Sequence, residues 1–419
     1  SFFFLKHNFD VNVSVDSLTK YILYDMNLGL KSPELAGEDM IKTWMLPPKE
    51  KPHNQKVIVI DAGGTNFRSC LVTFDSNGEY EISDFKKTSM PGIERELTKK
   101  EFFSQIADNI DYLKNKADRI GFCFSYSMNI TKDGDGISTS FSKEIKAKEV
   151  IGCKIGETLC EELEKRGWNK IKKIALLNDT VSALLAGSAA VKEGCSCSSF
   201  VGFILGTGIN SAYIQKSTEN QIIVCESGKC DKLPRSDFDI SLDKKTVCPG
   251  QYQLEKQCSG AYLGAVAYEV LNCAAKEGLF SEKTASNLLK LNSLTLIEID
   301  SFLYAPFKKN DKYSTLSEIC ENDNDRKTVY EILEILVERC AKNAAAILSA
   351  VCIQCEEGKN PVHPIGILCN GTTFFKTHKL KSKIEGLLEQ YLTKENGIYY
   401  ELLSMENDIT VGTAVAGLR

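Results

Sequence analysis

Two apolar runs joined by a glycine turn dominate the pattern of residues 57–74, VIVIDAGGTNFRSCLVTF. Uninterrupted runs rich in valine and isoleucine predict two buried strands that meet at a tight turn, Gly63-Gly64. Adjacent glycines allow backbone conformations that other residues avoid, and they let a ligand approach the main chain closely. Taken alone, the stretch fits an ordinary glycine hairpin equally well.

The same outline recurs at residues 200–214, FVGFILGTGINSAYI, where the turn is Gly206-Thr207-Gly208. Two such units in one chain indicate an internal duplication. A third glycine–threonine turn, at residues 370–373, follows the apolar strand predicted at 364–368. Strands alternate with helical patterns in both halves, and this alternation predicts an α/β fold whose sheets are covered on their faces.

Hydrophobic periodicity predicts the helices between these strands. They fall at about residues 15–26, 99–116, 149–166, 181–191, 254–277, 282–290, 295–303 and 326–355. The Asn-Gly signal at 77–78 extends the first unit to a three-stranded meander. A polar loop is expected at 31–39, and a proline-rich linker at 46–52 marks a boundary. Asp133-Gly-Asp-Gly136 lacks the spacing of a calcium loop, so a surface turn is expected there.

Composition narrows the class of protein. A chain of 419 residues is expected to form two domains, and its 43% hydrophobic and 26% charged residues are typical of a soluble protein. The net charge of −5 provides no basic surface for nucleic acid. No apolar run has the length of a membrane-spanning helix, and residues 1–5 are too short for a signal segment, so no membrane partner and a cytoplasmic location are expected.

The sixteen cysteines are expected to be reduced thiols. Several, such as Cys70, Cys123 and Cys273, lie within apolar runs, where cysteine acts as a small hydrophobic residue. The pairs at 195 and 197 and at 352 and 355 have spacings that resemble metal or redox motifs. Only four histidines are present to complete a metal site, so neither pair is expected to bind zinc.

Four motifs in order carry a family resemblance: IDAGGTNFR at 60–68, LLNDT at 176–180, ILGTGIN at 204–210 and PGQYQLEK at 249–256. Together they resemble the hexokinase family over about residues 57–417. The resemblance implies a two-domain actin-like ATPase fold, a duplicated ribonuclease H-like unit with a cleft between the domains. It implies a small domain of residues 54–190 plus 404–419 and a large domain of residues 1–53 plus 191–403.

The activity implied by the resemblance is ATP-dependent phosphorylation of the 6-hydroxyl of a hexose, with glucose as the first candidate, as in glycolysis. Asp179 follows an apolar strand and precedes a helix, the place where α/β folds bind ligands. From the residues alone, a helix cap is the favoured interpretation of Asp179. The resemblance implies that Asp179 is the general base and that Lys143, in a Ser-Lys pair similar to the family's Thr-Lys, contacts the sugar and the developing phosphoryl charge.

The implied sugar site consists of hydroxyl, amide and charged side chains, which suit a polyol. Its residues are Ser125, Tyr126, Ser142, Lys143, Asn178, Asp179, Asn210, Glu226 and Glu255. Tyr126 and Ser127 stand where the family has Phe and Pro, and Val224 and Ser227 replace the Asn and Trp that flank the glutamate. These departures motivate an alternative, a kinase for another hexose or an amino sugar.

The implied nucleotide site gathers the three glycine–threonine turns and an adenosine-side loop at 323–327. Its residues are Asp61, Gly63, Gly64, Thr65, Asn66, Arg68, Gly206, Thr207, Gly208, Gly260, Lys327, Gly371, Thr372 and Thr373. Asn370 departs from the family's Asp. ATP and Mg²⁺ are the expected cofactors, with Mg²⁺ bridging the phosphates through water and no side chain as a direct ligand.

Two further alternatives remain open at this point. A non-catalytic sugar sensor would keep the cleft, and an actin-like filament protein would fit the fold but not the sugar-site residues. The expected assembly is a monomer or a homodimer.

Overall fold

A computed structural model describes residues 2–46, 51–141, 145–216 and 221–419. The strands are β1 Ile41–Lys42, β2 Gln55–Gly63, β3 Asn66–Phe74, β4 Tyr80–Ser89, β5 Arg119–Phe124, β6 Ser127–Ile130, β7 Gly136–Ser140, β8 Lys173–Leu177, β9 Ser199–Leu205, β10 Ile209–Gln215, β11 Gln221–Val224, β12 Ile365–Asn370 and β13 Tyr400–Leu403. The helices are α1 Phe2–Lys6, α2 Val15–Lys31, α3 Lys99–Ile110, α4 Ile155–Lys165, α5 Asp179–Ala190, α6 Asp237–Asp243, α7 Glu255–Cys258, α8 Leu263–Lys276, α9 Glu282–Leu289, α10 Leu296–Tyr304, α11 Thr315–Ile319, α12 Asp323–Gln354, α13 Thr372–Lys376, α14 Leu380–Leu388 and α15 Asp408–Gly417.

The two main sheets repeat one strand order. The first is β4-β3-β2-β5-β8, and the second contains β11-β10-β9-β12-β13. In both, an antiparallel meander is followed by two strands parallel to its first strand. This repetition confirms the predicted duplicated α/β fold. The second sheet gains a sixth strand, because β1 pairs antiparallel with β11.

Two helices lie between the sheets and pack against each other. Helix α5 contacts β9 and β12 of the second sheet, whereas α15 contacts β2 and β5 of the first. Their close approach depends on glycine: a Cβ at Gly412 would overlap the carbonyl oxygen of Ser182, and one at Gly121 would overlap that of Thr413. The hydroxyls of Ser182 and Thr413 are 2.9 Å apart across this contact.

This packing bears on the proposed division into domains. The contacts of α15 with the first sheet, and of β1 with the second, support the placement of residues 404–419 and 1–53. Helix α5 falls within the proposed 54–190 unit and yet packs on the second sheet. The division at residue 190 therefore stays a proposal, since α5 joins both units.

Three local predictions need correction. The helix predicted at 254–277 is broken into α7 and α8, because the backbone N–H of Gly260 turns to donate to the carbonyl of Gly206, 2.8 Å away. Helix α15, at residues 408–417, is absent from the predicted helices. Helix α2 continues to Lys31, five residues past its predicted end.

The expected surface turn at 133–136 connects β6 to β7, but Asp135 within it is buried. Its carboxylate accepts hydrogen bonds from the backbone N–H groups of Gly156 and Glu157 at 2.7 and 2.9 Å. Asp135 therefore caps the first turn of α4 from outside the helix.

All sixteen cysteines are unpaired in the structure. Cys352 and Cys355 are buried at the end of α12. None of the described helices combines the length and hydrophobicity that a membrane crossing requires.

Candidate active site

A cavity of about 820 Å³ lies at the carboxyl ends of β5 and β8 and faces the second sheet. All the predicted sugar-site residues that the structure describes line it. They are Ser125, Tyr126, Asn178, Asp179, Asn210, Glu226 and Glu255. The other two predicted residues, Ser142 and Lys143, lie outside the described residues.

Asp179 is the first residue of α5, but it does not cap that helix. The cap is Asn178, whose Oδ1 accepts a hydrogen bond from the backbone N–H of Val181 at 2.9 Å. Interpretation of Asp179 as a simple helix cap is therefore wrong. Burial raises the pKa of Asp179, and the nearby carboxylate of Asp61 adds to the effect. A carboxylate with a raised pKa in a polar cavity is suited to accept a proton.

Asn210 and Glu226 form a second polar pair on the opposite wall. The Nδ2 of Asn210 donates to Oε1 of Glu226 at 3.0 Å, and its Oδ1 accepts from the backbone N–H of Ser211 at 2.8 Å. Glu226 has a left-handed backbone, φ 56°, which is uncommon outside glycine. Burial raises the pKa of Glu226 to about 6, although Lys229 opposes the increase.

Ser227, which replaces the family's Trp, lies directly beneath this pair. Its hydroxyl is 2.7 Å from that of Ser211, and both side chains are buried. Ser227 therefore forms a hydrogen bond with β10 through Ser211, and Glu226 lines the cavity with Ser at position 227.

Glu255 begins α7 and reaches back to the second glycine turn. Its Oε2 accepts a hydrogen bond from the backbone N–H of Ile209 at 3.1 Å. Gly208 and Gly228 leave the room for it, since a Cβ on either would lie 2.7 or 3.1 Å from Oε2. Burial raises the pKa of Glu255. The remaining oxygen, Oε1, is available to a ligand hydroxyl.

Tyr126 connects the sugar loop to the first glycine turn. Its hydroxyl donates to the carbonyl oxygen of Gly64 at 2.7 Å, and its ring packs on Phe124 and Phe141 with centroid distances of 4.9 and 5.4 Å. The family's Phe has no hydroxyl, so this bond is a product of the departure at position 126. Ser125 is also close, because a Cβ on Gly63 would lie 3.3 Å from its Oγ.

The first glycine turn connects β2 and β3. Gly64 has φ 57°, and no atom lies within 4 Å of the Cβ position it lacks. Beside it, Nη1 of Arg68 donates to Oδ2 of Asp61 at 2.8 Å, and burial raises the pKa of Asp61. Thr65 and Asn66 complete the turn. An open glycine turn beside an arginine offers an anion both backbone and side-chain donors.

The second and third turns converge. The carbonyl oxygen of Gly206 accepts from the backbone N–H of Gly260 and from Oγ1 of Thr373, each at 2.8 Å. Ala261 donates its N–H to the carbonyl of Thr207 at 3.0 Å. Gly371, with φ 114°, lies against Gly206, and Thr372 begins α13. The structure thus brings together the predicted nucleotide residues of these two turns.

Lys327, the other predicted nucleotide residue, forms no described contact with the glycine turns. It lies in the second turn of α12, its side chain is mostly exposed, and its Nζ is 3.7 Å from Oε1 of Glu331. Its role toward a nucleotide stays a prediction.

Asp408 is the partner of Asn370 at the third glycine–threonine turn, and the sequence analysis did not single it out. The Nδ2 of Asn370 donates to both carboxylate oxygens of Asp408, at 2.7 and 2.9 Å. Burial raises the pKa of Asp408. An Asp at position 370, as in the family, would face this carboxylate with a like charge, whereas the amide of Asn370 donates to it. No local signal links residues that are 38 positions apart.

Lys229 and Asp39 were missed as well. Both line the cavity, and Nζ of Lys229 is 2.6 Å from Oδ2 of Asp39. The lysine also lies over the ring of Tyr252, 5.6 Å from its centroid. The proximity of Lys229 to Glu226 in the sequence is a signal that could have revealed it.

A cleft lined by hydroxyl, amide and carboxylate groups, with glycine turns from two sheets of the same order, defines a sugar kinase of the actin-like ATPase class. One hexokinase family model matches residues 5–189 and a second matches residues 200–418. The chain belongs to the hexokinase family, and it is an enzyme that phosphorylates a hexose with ATP.

Similar proteins agree with this membership. Hexokinase-1 of Schizosaccharomyces pombe is 26% identical over 410 residues, which cover 90% of this chain and 81% of the relative. Glucokinase-1 of Kluyveromyces lactis is 25% identical over 408 residues, with 85% of each covered. Among solved structures, a hexokinase from Schistosoma mansoni complexed with glucose has a TM-score of 0.76 at 23% identity, covering 98% of this chain and 96% of its own, a likeness of fold.

Proposed function

We propose that this chain transfers the terminal phosphoryl group of ATP to the 6-hydroxyl of glucose, with Asp179 as general base. The observation that carries the proposal is the position of the Asp179 carboxylate, which lines the sugar cavity while Asn178 is the N-cap of α5. A base must come within hydrogen-bond distance of the hydroxyl from which it takes the proton. Oδ1 of Asp179 accepts a hydrogen bond from Oγ1 of Thr180 at 3.2 Å, and the carboxylate still lines the cavity where the sugar hydroxyl would bind.

The other cavity residues would hold the sugar. Glu226 and Glu255 each have one carboxylate oxygen engaged by the protein, so the second oxygen of each can accept from a sugar hydroxyl. Ser125 and Asn178 would supply further hydrogen bonds from the first half of the chain. A sugar bound between both walls is oriented by both halves, and closure around it would exclude the water that competes with the 6-hydroxyl.

The glycine turns would hold ATP through backbone N–H groups, and Arg68 would add a cation near the phosphates. The open space at Gly64 and the adjacent Asp61 fit a phosphate-bound Mg²⁺ that is held through water. When bound, the ion offsets phosphate charge. Lys143 is proposed to offset the charge that develops on the transferred group.

Replacement of Asp179 by Asn tests the proposal. Turnover should decrease by about 10²- to 10⁴-fold, because the amide cannot take the proton, whereas the dissociation constant for glucose should change only a few-fold. A coupled assay for ADP release measures turnover, and calorimetry measures sugar binding. Asp237→Asn is the matched control, since Asp237 is also the first residue of a helix and lies outside the cavity. Unchanged turnover in Asp179→Asn would refute the proposal.

A different sugar is the second candidate, and the departures at Ser127, Val224 and Ser227 favour it. The same assay with mannose, fructose, galactose and N-acetylglucosamine decides between them. Turnover on one of these sugars alone would keep the mechanism and change the substrate. Sugar binding with no ATP consumption would identify a sensor.

A further inference from the structure

We propose that Asp25, Glu38 and Cys230 bind a divalent cation, with Zn²⁺ as the best match, behind the sugar cavity. One ligand atom from each residue lies within 4.8 Å of the other two, and all three side chains are buried. They come from separate segments: Asp25 from α2, Glu38 from the segment before β1, and Cys230 from the segment after Glu226. This inference does not depend on the proposed function.

Glu38 supplies the second, independent observation. Its side chain is 1% exposed, and neither Oε1 nor Oε2 has a hydrogen-bond partner among the residues that the structure describes. A buried carboxylate is costly unless a cation or several donors compensate it. The charged groups that act on Glu38, namely Asp25, Glu226 and Asp39, are all acidic. A bound cation supplies the compensation that the protein itself does not.

Asp25 is oriented as a metal ligand needs to be. Its Oδ1 accepts from the backbone N–H of Gly37 at 2.9 Å, and its Oδ2 accepts from that of Glu38 at 3.0 Å. Such outer hydrogen bonds hold a ligating carboxylate in place, and each oxygen keeps a lone pair. Lys232 lies 3.5 Å from Oδ1 of Asp25, but its closer ion pair, at 2.5 Å, is with Asp231.

The donor set selects the kind of cation. Mg²⁺ and Ca²⁺ take oxygen ligands, whereas a thiolate beside two carboxylates suits Zn²⁺. Three protein ligands and a water complete the tetrahedral shell that zinc prefers. Cys230 forms no disulfide, and its thiol is hydrogen-bonded to Asp25. Metal coordination would remove the proton of this thiol.

The cluster lies next to two segments of the cavity wall, so a bound cation would affect the cavity. Glu38 precedes Asp39, which pairs with Lys229 on the cavity wall, and Cys230 follows that lysine directly. A cation held by Asp25, Glu38 and Cys230 would join α2 to both of these cavity segments. It would therefore stabilise the wall that presents Glu226.

The alternative source of compensation is a proton on Glu38, shared with Asp25. The substitution Glu38→Gln separates the two explanations, because Gln has the same shape and is neutral. If Glu38 carries a proton, Gln should preserve stability and nothing should depend on metal. If Glu38 is a ligand, Gln should lower the affinity for zinc at least tenfold. Loss of a residue that only hydrogen-bonds to a metal ligand already lowers metal affinity by about 10- to 100-fold, so loss of a ligand should have at least that effect.

The experiment uses the full chain, treated with chelator, reloaded with Zn²⁺ or Co²⁺ and desalted. We expect about one zinc per chain by elemental analysis, and a thiolate-to-cobalt charge-transfer band in the near ultraviolet. Cys230→Ser should abolish the band. Cys352→Ser, which alters an equally buried thiol away from the cluster, should retain it.

Thermal unfolding keeps the proposal falsifiable if Cys230→Ser does not fold. Zinc at a fixed concentration should raise the Tm of the wild type by more than it raises that of Glu38→Gln, because a ligand stabilises only the state that binds it and does so in proportion to its affinity. A wild type with no bound zinc, no cobalt band and no zinc-dependent Tm would overturn the proposal. Equal zinc affinity in wild type and Glu38→Gln, measured by competition with a chelator, would overturn it as well.

Discussion

The two glycine turns of the duplicated unit occupy equivalent places in their sheets, but their surroundings differ. Around Gly64 in the first turn, no atom lies within 4 Å of the missing Cβ. Around Gly206 in the second turn, Gly260, Gly371 and Thr373 all make close contact. The first turn is open toward solvent and a ligand, whereas the second is closed by other parts of the chain.

The difference arises from what each half inserts after its meander. In the first half, 29 residues separate the end of β4 at Ser89 from the start of β5 at Arg119. In the second half, helices α6–α12 lie between β11 and β12 and bring Gly260 to the turn. Equal topology therefore does not imply equal roles: glycine serves backbone conformation in the first turn and close packing in the second.

The largest loss of stability should come from adding a side chain at Gly371, where the third turn packs against the second. Gly371→Ala places a Cβ over the carbonyl oxygen of Leu205 and 2.7 Å from the backbone nitrogen of Gly206, at φ 114°. Backbone atoms cannot move away easily, so we expect a loss of more than about 3 kcal/mol in the free energy of unfolding. Chemical denaturation measures it.

Gly64→Ala is the matched comparison in the open turn. Only the left-handed backbone resists the new methyl group, so the cost should be about 1–2 kcal/mol. Equal losses at positions 64 and 371 would contradict the contrast between the two turns.

A smaller effect is expected from the titration of Glu226, the cavity carboxylate with the raised pKa in the second half of the chain. The pKa of Glu226 is raised by burial to about 6, with Lys229 opposing the increase and Asp39 and Asp179 adding to it. As pH falls from 7 to 5, the ionised fraction of Glu226 decreases about tenfold, and glucose affinity should weaken similarly. Calorimetry across this range measures it.

Stability should follow the opposite trend. Because the folded pKa of Glu226 exceeds its ordinary value of 4.5, its protonation stabilises the unliganded fold at low pH, and that contribution is lost as pH rises through about 6.

Glu226→Gln should flatten the pH dependence of binding between pH 5 and 7. An unaltered profile in that variant would assign the titration to another group.

The smallest effect concerns the bond between the sugar loop and the open turn. Tyr126→Phe removes the hydrogen bond to Gly64, at a cost of about 1 kcal/mol. If that bond positions the turn for phosphate, KM for ATP should rise about fivefold while glucose affinity stays unchanged. Steady-state kinetics with ATP varied at saturating glucose provides the test.

Tyr112→Phe is the control for Tyr126→Phe. The hydroxyl of Tyr112 also donates to a backbone carbonyl, that of Ser69 at 2.9 Å, but away from the cavity. It should reduce stability similarly and leave KM for ATP unchanged. If both variants alter KM equally, the bond at Tyr126 has no specific positioning role.

The strands of the duplicated unit and the cavity residues were within reach of sequence analysis, the strands because buried runs are local patterns and the cavity residues because their motifs resemble the hexokinase family. The buried runs at β2, β3, β9 and β10 are continuous in the chain, and motifs around Asp179 and Glu255 stand beside recognisable turns. The capping role of Asn178 was not, because Asn and Asp are both good helix caps and adjacent positions compete for the role.

The sequence by itself determined the duplicated unit, the alternation of strands and helices and the residue types of the sugar site. Each of these features depends on residues that are close together in the chain. Only the tertiary structure decided that Asn370 faces Asp408, that Tyr126 holds Gly64, that α5 packs on the far sheet, and that Asp25, Glu38 and Cys230 meet. Those contacts join distant segments, and their partners are set by how two sheets and the helices between them pack rather than by any local periodicity.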